Sequence, residues 1–379
     1  MPDLIQIIIS FLVALSISLY SVPIVVRVDK KLNLFDRPNE RSSSVKAIPT
    51  LGGIAIFFSF VFATTIGMFG YEMPELIFIL AATMLIFFVG LKDDLVNLSP
   101  LKKLLTEVIA ALIIVLPGQI RFTDLHGLFG ISQIGLIPGI LITTFFIVLI
   151  INAFNLTDGI DGLASSLTIM IGSIFGTWFF ISGHITFSIL SFSLVGASLG
   201  FFYFNVYGKQ NKIFMGDTGS LVIGTVIAIL TIRFNEFNID QTQPFAIQSV
   251  PAISFAILVY PLIDVVRVIL IRVLQQQSPF TADKNHLHHR LLTLGLSHNK
   301  STFTIIGINI LFISIVFTLH QIGLLRLMSY ILFVSSFLFM IPAYIIRRRK
   351  LVKRNDPTQP LLIPGLSAEK VIIRDNLPG

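Results

Sequence analysis

The chain has 379 residues, of which 54% are hydrophobic and only 12% charged, with a net charge of +7 and a mean hydropathy of +0.87. Soluble domains carry about 25% charged residues, so a soluble globular fold is excluded and the chain reads as an all-α, polytopic integral membrane protein. The absence of cysteine excludes disulfides and thiol catalysis. The basic surplus is read as membrane loop asymmetry, not as a nucleic-acid footprint.

Eleven transmembrane helices are predicted in chain order, near 4–26, 49–69, 75–92, 101–118, 134–152, 164–182, 185–205, 218–233, 250–271, 301–319 and 323–346. The first run lacks a basic leader and a small-residue cleavage motif, so it reads as a retained helix. Ser99-Pro100 reads as an N-cap followed by proline in the first helical turn. With the N-terminus outside and the C-terminus cytoplasmic, 24 of the 27 Lys and Arg fall in inside loops or the tail, leaving Arg121, Arg233 and Arg326 elsewhere. One membrane domain is expected over 1–346 with an active site on its cytoplasmic face. A basic cytoplasmic tail over 347–379 would anchor on anionic lipid.

In this topology the polar clusters all fall on the inside face. Asp93 and Asp94 close the third span in GLKDD; the plain reading is a solvated helix end. Because adjacent helical side chains diverge by about 100°, one could face a site while the other orients a neighbour. In NLTDGIDG, Asn155, Asp158 and Asp161 have i,i+3 spacing and would form one stripe on a helical turn. A helix break capped by one Asp is the alternative. In FMGDTGS, Asp217 or Thr218 could cap the next span, but carboxylates on two neighbouring loops favour a metal. Mg²⁺ prefers one or two carboxylates together with water and phosphate oxygens. In HLHHRLL, His286 and His289 share a helical face. Zinc, an anion-binding or acid–base patch and an amphipathic interfacial helix are the readings, the second being preferred. Lys46, before IPTLGG, is explained by loop charge alone. Carboxylates with nearby Lys, Arg and His suit phosphoryl transfer. No Walker A, GxGxxG or HExxH motif is present.

GLKDD, NLTDGIDGLA, FMGDTGSL and the ADxxHLHHRLL block occur together and in order. In these motifs the chain resembles the polyprenyl-phosphate N-acetylhexosamine-1-phosphate transferases, glycosyltransferase family 4, over about residues 20–295. The resemblance implies exchange of the pyrophosphate bond of a UDP-N-acetylhexosamine for one to a polyprenyl phosphate, with release of UMP. It implies Asp217 as the Mg²⁺ ligand (Mn²⁺ being an alternative ion), Asp93 as base or nucleophile and Asp94 as its support. Asn155, Asp158 and Asp161 would line the nucleotide–diphosphate site. Phe214 would stack on uracil, Lys46 would contact the nucleotide, and His286, His288, His289 and Arg290 would grip diphosphate or sugar. The His-Leu-His-His order and the basic tail resemble the GlcNAc-1-phosphate branch. The phospho-MurNAc-pentapeptide branch of peptidoglycan synthesis is the runner-up. A bacterial inner-membrane location follows by the same resemblance, and a homodimer stays open. A secondary transporter should show repeats and mid-bilayer charges, which the sequence lacks. The D-G-x-x-A-R pattern of CDP-alcohol phosphotransferases fails after Asp158-Gly159.

Overall fold

The structure is a computed structural model that describes residues 2–32, 34–36, 48–276 and 286–354, excluding the side chains of 35, 36 and 350–354. Lys46 and the tail beyond 354 lie outside the described residues.

The architecture is helical throughout. Helix α1 (Pro2–Leu32) leads to a two-residue antiparallel pairing of β1 (Phe35–Asp36) with β2 (Ile48–Pro49). Helices α2 (Gly52–Gly67), α3 (Leu76–Val96) and α4 (Pro100–Val115) follow. A small antiparallel hairpin, β3 (Asp124–Leu128) and β4 (Ile131–Gln133), precedes α5 (Leu136–Thr157), α6 (Leu163–Ile181), α7 (Ile185–Tyr207) and α8 (Gly216–Phe237). The chain closes with α9 (Val250–Ile257), α10 (Val259–Leu274), α11 (Leu287–Thr293), α12 (His298–Leu319) and α13 (Leu324–Arg354). Eight of these helices are long and apolar enough to cross a membrane, and α9 with α10 makes a ninth if that pair, bent by 78°, is one span. The expected spans at 49–69 and 101–118 correspond to helices of sixteen residues each.

Helix α8 is the hub. It is buried over almost its whole length, from Thr218 to Asn235, with α2, α3, α5 and α6 around it. Buried all round, it needs no polar face. Its neighbours approach closely because they bring hydrogen where others bring a methyl group. A Cβ on Gly53 would lie 2.1 Å from the Gly219 nitrogen, and one on Gly90 would lie 2.7 Å from the Thr218 Cα. Ser99 is the N-cap of α4 with Pro100 at the first turn, as expected, although its hydroxyl makes no capping bond.

The two ends of the bundle differ. One carries the C-termini of α3 and α5 and the N-terminus of α8. At the other, Arg233 pairs with Glu75 at 2.7 Å and lies over the rings of Phe187 and Phe237. That arginine, an exception to the loop charge bias, is thus neutralised where it sits.

Candidate active site

Asp93 and Asp94 end α3, and their side chains do diverge. Past them, Asn97 adopts a left-handed conformation with φ 52°, which asparagine tolerates. The turn lets the Leu98 amide donate to Asp93 Oδ1 at 2.5 Å. The other Asp93 oxygen faces Lys103 Nζ at 3.2 Å. Lys103 lies one turn into α4 and also pairs with Asp217 Oδ2. Asn155 donates to Asp217 Oδ1 at 2.8 Å and to Ser220 Oγ at 3.1 Å. Asp93, Lys103, Asp217 and Asn155, from four helices, therefore form one connected constellation. Behind it, buried Glu107 accepts from Asn152 Nδ2 at 2.5 Å.

Asp94 does something different. It accepts from the amides of Asp217 at 2.8 Å and Thr218 at 2.9 Å, and from Thr218 Oγ1 at 2.5 Å. The first amides of a helix have no partner within it. Here a carboxylate on another helix supplies one, so neither Asp217 nor Thr218 has to cap α8 and the Asp217 carboxylate is left for the site. Gly216 makes the approach possible. Its φ is +70°, and a Cβ there would lie 2.5 Å from the Thr50 carbonyl oxygen and 2.6 Å from Asp94 Oδ2. The preceding segment is held like a strand: Phe214 N donates to the Pro49 oxygen at 2.8 Å and Gly52 N to the Phe214 oxygen at 3.0 Å. The half-buried Phe214 ring thus stands on a braced backbone beside the acidic cluster.

The single helical stripe expected for Asn155, Asp158 and Asp161 is not formed. Helix α5 ends at Thr157, and Asp158, with ψ of 49°, has left the helix. Only Asn155 is on the helix and at Asp217. Asp158 lies in the turn near the Gly216 amide; burial first, then the carboxylates of Asp217 and Asp94, push its pKa up to about 8. Asp161 turns to Lys212 Nζ at 2.6 Å and His298 Nδ1 at 3.4 Å. Burial would raise its pKa, but His298 and Lys212 outweigh that and hold it below the usual carboxylate value. The cations missing from the NLTDGIDG segment come from α4 and from the loop before α8, and α12 adds the His298 imidazole.

The histidine block reaches the same place. Gly159 lies against His288, since a Cβ there would meet His288 Nε2 at 2.2 Å. His286, the N-cap of α11, sets its Nδ1 2.8 Å from Asp264 Oδ2. The rings of His286 and His288 are stacked 5.6 Å apart, and His289 lies 4.3 Å from His288. Burial first, then neighbouring His289, pulls the His288 pKa down to about 3, so this imidazole is neutral at physiological pH. His289 and Arg290 follow on α11, half-buried. The three α3, α5 and α8 motifs and the histidine block thus converge.

Sequence reading missed Lys103, Lys212, Asp264 and His298. Lys103 and Lys212 were absorbed into the loop charge bias. Asp264, in YPLID on a helix, had no motif around it, though a carboxylate inside an apolar run is a signal in its own right.

The acidic cluster suits a hard divalent cation. Among the described residues no three carboxylates or imidazoles converge on one point as a ready-made cage. Instead, the carboxylates of Asp93 and Asp217 with the Asn155 amide oxygen form an open oxygen donor set, already gathered around one cation, the Lys103 ammonium. Few protein oxygens, with room for phosphate and water, is the Mg²⁺ preference.

A model of glycosyl transferase family 4 matches residues 76–235, from the start of α3 almost to the end of α8. The chain is 33% identical over 310 residues, 82% of its length and 84% of the relative's, to a probable undecaprenyl-phosphate N-acetylglucosaminyl 1-phosphate transferase of Bacillus subtilis (strain 168). It is 31% identical over 279 residues, 73% of each chain, to the undecaprenyl-phosphate alpha-N-acetylglucosaminyl 1-phosphate transferase of Escherichia coli (strain K12). The protein of that name in Salmonella typhi is 29% identical over 275 residues, 72% of each chain.

Proposed function

The chain belongs to glycosyl transferase family 4, and from that premise we propose that it transfers GlcNAc-1-phosphate from UDP-GlcNAc to undecaprenyl phosphate, releasing UMP. The observation that carries this reading is the constellation of Asp93, Lys103, Asn155 and Asp217 at one end of a membrane-type helix bundle. A polar site at a membrane face suits one soluble and one lipid substrate. The names of the relatives from Bacillus subtilis and Escherichia coli support the choice of sugar and lipid.

In the reaction, an oxygen of the lipid phosphate forms a bond to the sugar-linked phosphorus of the donor, and the bond from that phosphorus to the UMP oxygen breaks. UMP takes the electron pair. Asp93 accepts the proton of the lipid phosphate; in a two-step route its carboxylate would instead bond first to that phosphorus as UMP leaves, and the lipid phosphate oxygen would then displace the carboxylate. Asp217, with Asn155 beside it, would hold Mg²⁺, whose chemistry is to neutralise the diphosphate and the charge that builds on the departing UMP. Lys103 carries positive charge between Asp93 and Asp217 and keeps the two carboxylates from repelling each other. Phe214 offers a ring to the uracil, and His286, His288, His289 and Arg290 form the block that would grip diphosphate or sugar. Lys46, outside the described residues, keeps its proposed role at the nucleotide. Asp158 and Asp161 hold the turn that lines the site, with Asp161 braced by Lys212 and His298.

The site end is proposed to face the cytoplasm of a bacterial inner membrane, with eleven spans, the N-terminus outside and the tail inside. The charge bias supports that orientation. Purified chain with Mg²⁺ and undecaprenyl phosphate should release UMP from UDP-GlcNAc, and Asp217→Ala should abolish release while leaving the fold intact. UMP from UDP-MurNAc-pentapeptide alone would keep the chemistry and overturn the sugar. Full activity of Asp217→Ala would remove the metal assignment.

A further inference from the structure

Helix α10 follows a sharp break. At that break, Asn309 of α12 accepts from the Tyr260 amide at 3.2 Å and donates to the Ile257 oxygen at 3.0 Å, which satisfies backbone groups the bend releases. Past the break, Tyr260, Asp264 and Arg267 stand at i, i+4 and i+7, on one face of the helix. That face meets the histidine block. Asp264 Oδ1 accepts from the Leu287 amide at 2.9 Å and from Arg267 at 2.7 Å, and Oδ2 faces His286 Nδ1 at 2.8 Å. The Tyr260 hydroxyl faces His288 Nδ1 at 3.2 Å. Tyr260, Asp264, His286 and His288 are all at least 96% buried.

The hydrogen-bond chemistry fixes where the protons sit. A carboxylate with three donors around it only accepts, so His286 carries its proton at Nδ1 and, when neutral, its lone pair at Nε2. His288 is a neutral ring with two possible tautomers. If Nδ1 donated to the Tyr260 oxygen, the phenolic hydrogen would need a second acceptor, and among the described residues Tyr260 OH has none besides His288. A buried hydroxyl without an acceptor is costly. The hydroxyl therefore donates to Nδ1, and the ring proton of His288 resides on Nε2. That Nε2 is buried, has no hydrogen-bond partner among the described residues, and rests against Gly159 of the acidic turn.

We propose that Tyr260 and Asp264 are positioning residues that set opposite tautomers in the two stacked histidines, so that His288 presents an N–H donor at the acidic turn while His286 presents a lone pair. The proposal rests on the reading that this turn lines a diphosphate-sugar site. There the N–H of His288 is directed at the backbone of the turn that forms the wall of the site, so the tautomer sets how imidazole and turn pack against each other.

The test is long-range ¹H–¹⁵N correlation on the full chain labelled with ¹⁵N-histidine in nanodiscs, without substrate. His286→Gln and His288→Gln assign the signals. His288 is expected as the Nε2–H form and His286 as the Nδ1–H form. Tyr260→Phe keeps the ring and should turn the His288 signal into a tautomer mixture while leaving His286 unchanged. It should also lower kcat for UMP release about fivefold, the equivalent of one neutral hydrogen bond, with KM moved less. His288 found as Nδ1–H in the unsubstituted chain would overturn the proposal, as would Tyr260→Phe with an unchanged His288 signal. Both spectra are read without turnover, so failure to release UMP would count against the transferase reading alone.

Discussion

Asp93 and Asp94 are neighbours with separable tasks, and the difference is measurable. Asp93 touches one amide and one ammonium, whereas Asp94 closes the N-terminus of α8 with three bonds. Asp94→Ala removes that cap and should cost about 1–2 kcal/mol of stability along with activity, read as a lowered melting temperature in detergent. Asp93→Asn should leave the melting temperature near that of the unsubstituted chain and lose turnover. The reverse pattern would exchange their roles. A further expectation concerns protons. Asp158, raised to about 8, is largely protonated at neutral pH. A cation bound beside it favours the carboxylate, so Mg²⁺ binding should release protons below pH 8, and its apparent affinity should tighten as pH rises towards 8. Calorimetry in buffers of different ionisation enthalpy reads the proton count; the same count in Asp158→Asn would rule Asp158 out as the source.

The N-terminus of α8 and the turn after α5 are the elements that assemble the site, and they differ in how far sequence reveals them. The motif residues of α8 could be read directly, because FMGDTGS carries both the carboxylate and the glycine of the turn. The turn at NLTDGIDG admits either one stripe or a helix break on sequence alone, because i,i+3 spacing holds only while the helix lasts. Spacing alone does not show that α5 stops at Thr157, and the partners that draw Asp161 away, Lys212 and His298, are remote in sequence. Lys103 is hidden for a similar reason: in KKLLTEV it resembles any lysine at a membrane face, and only the packing of α4 beside α3 and α5 brings it to Asp217. The glycine of the turn gives an element-scale expectation. Gly159→Ala would force a methyl group into His288. It should cut kcat by at least tenfold and broaden the His288 signal, whereas Gly307→Ala, with open space around it, should leave both unchanged. Equal effects of the two substitutions would mean that the contact of turn and imidazole is unimportant.

At the scale of the molecule, hydropathy and the loop charge bias made the membrane class and the grouping of motifs at one end readable from sequence. The lengths of α2 and α4 and the 78° break between α9 and α10 were not, because periodicity in a uniformly apolar chain marks neither helix ends nor bends. The proposed orientation is directly testable, since the chain has no cysteine to remove. Single cysteines at Lys209 and at Gln241 should be labelled by an impermeant maleimide from opposite sides of intact cells, with 241 outside and 209 inside. Labelling of 209 from outside would invert the topology. The central claim is that one end of this bundle joins a nucleotide sugar to a membrane lipid through a cation-dependent acidic site. The most direct measurement is transfer of radiolabel from UDP-[¹⁴C]GlcNAc into solvent-extractable lipid by the purified chain, with undecaprenyl phosphate and Mg²⁺ each present or withheld. We expect label in lipid only when both are present, and none from Asp217→Ala. Lipid labelling that persists in EDTA, or no labelling by folded protein with both present, would contradict the claim.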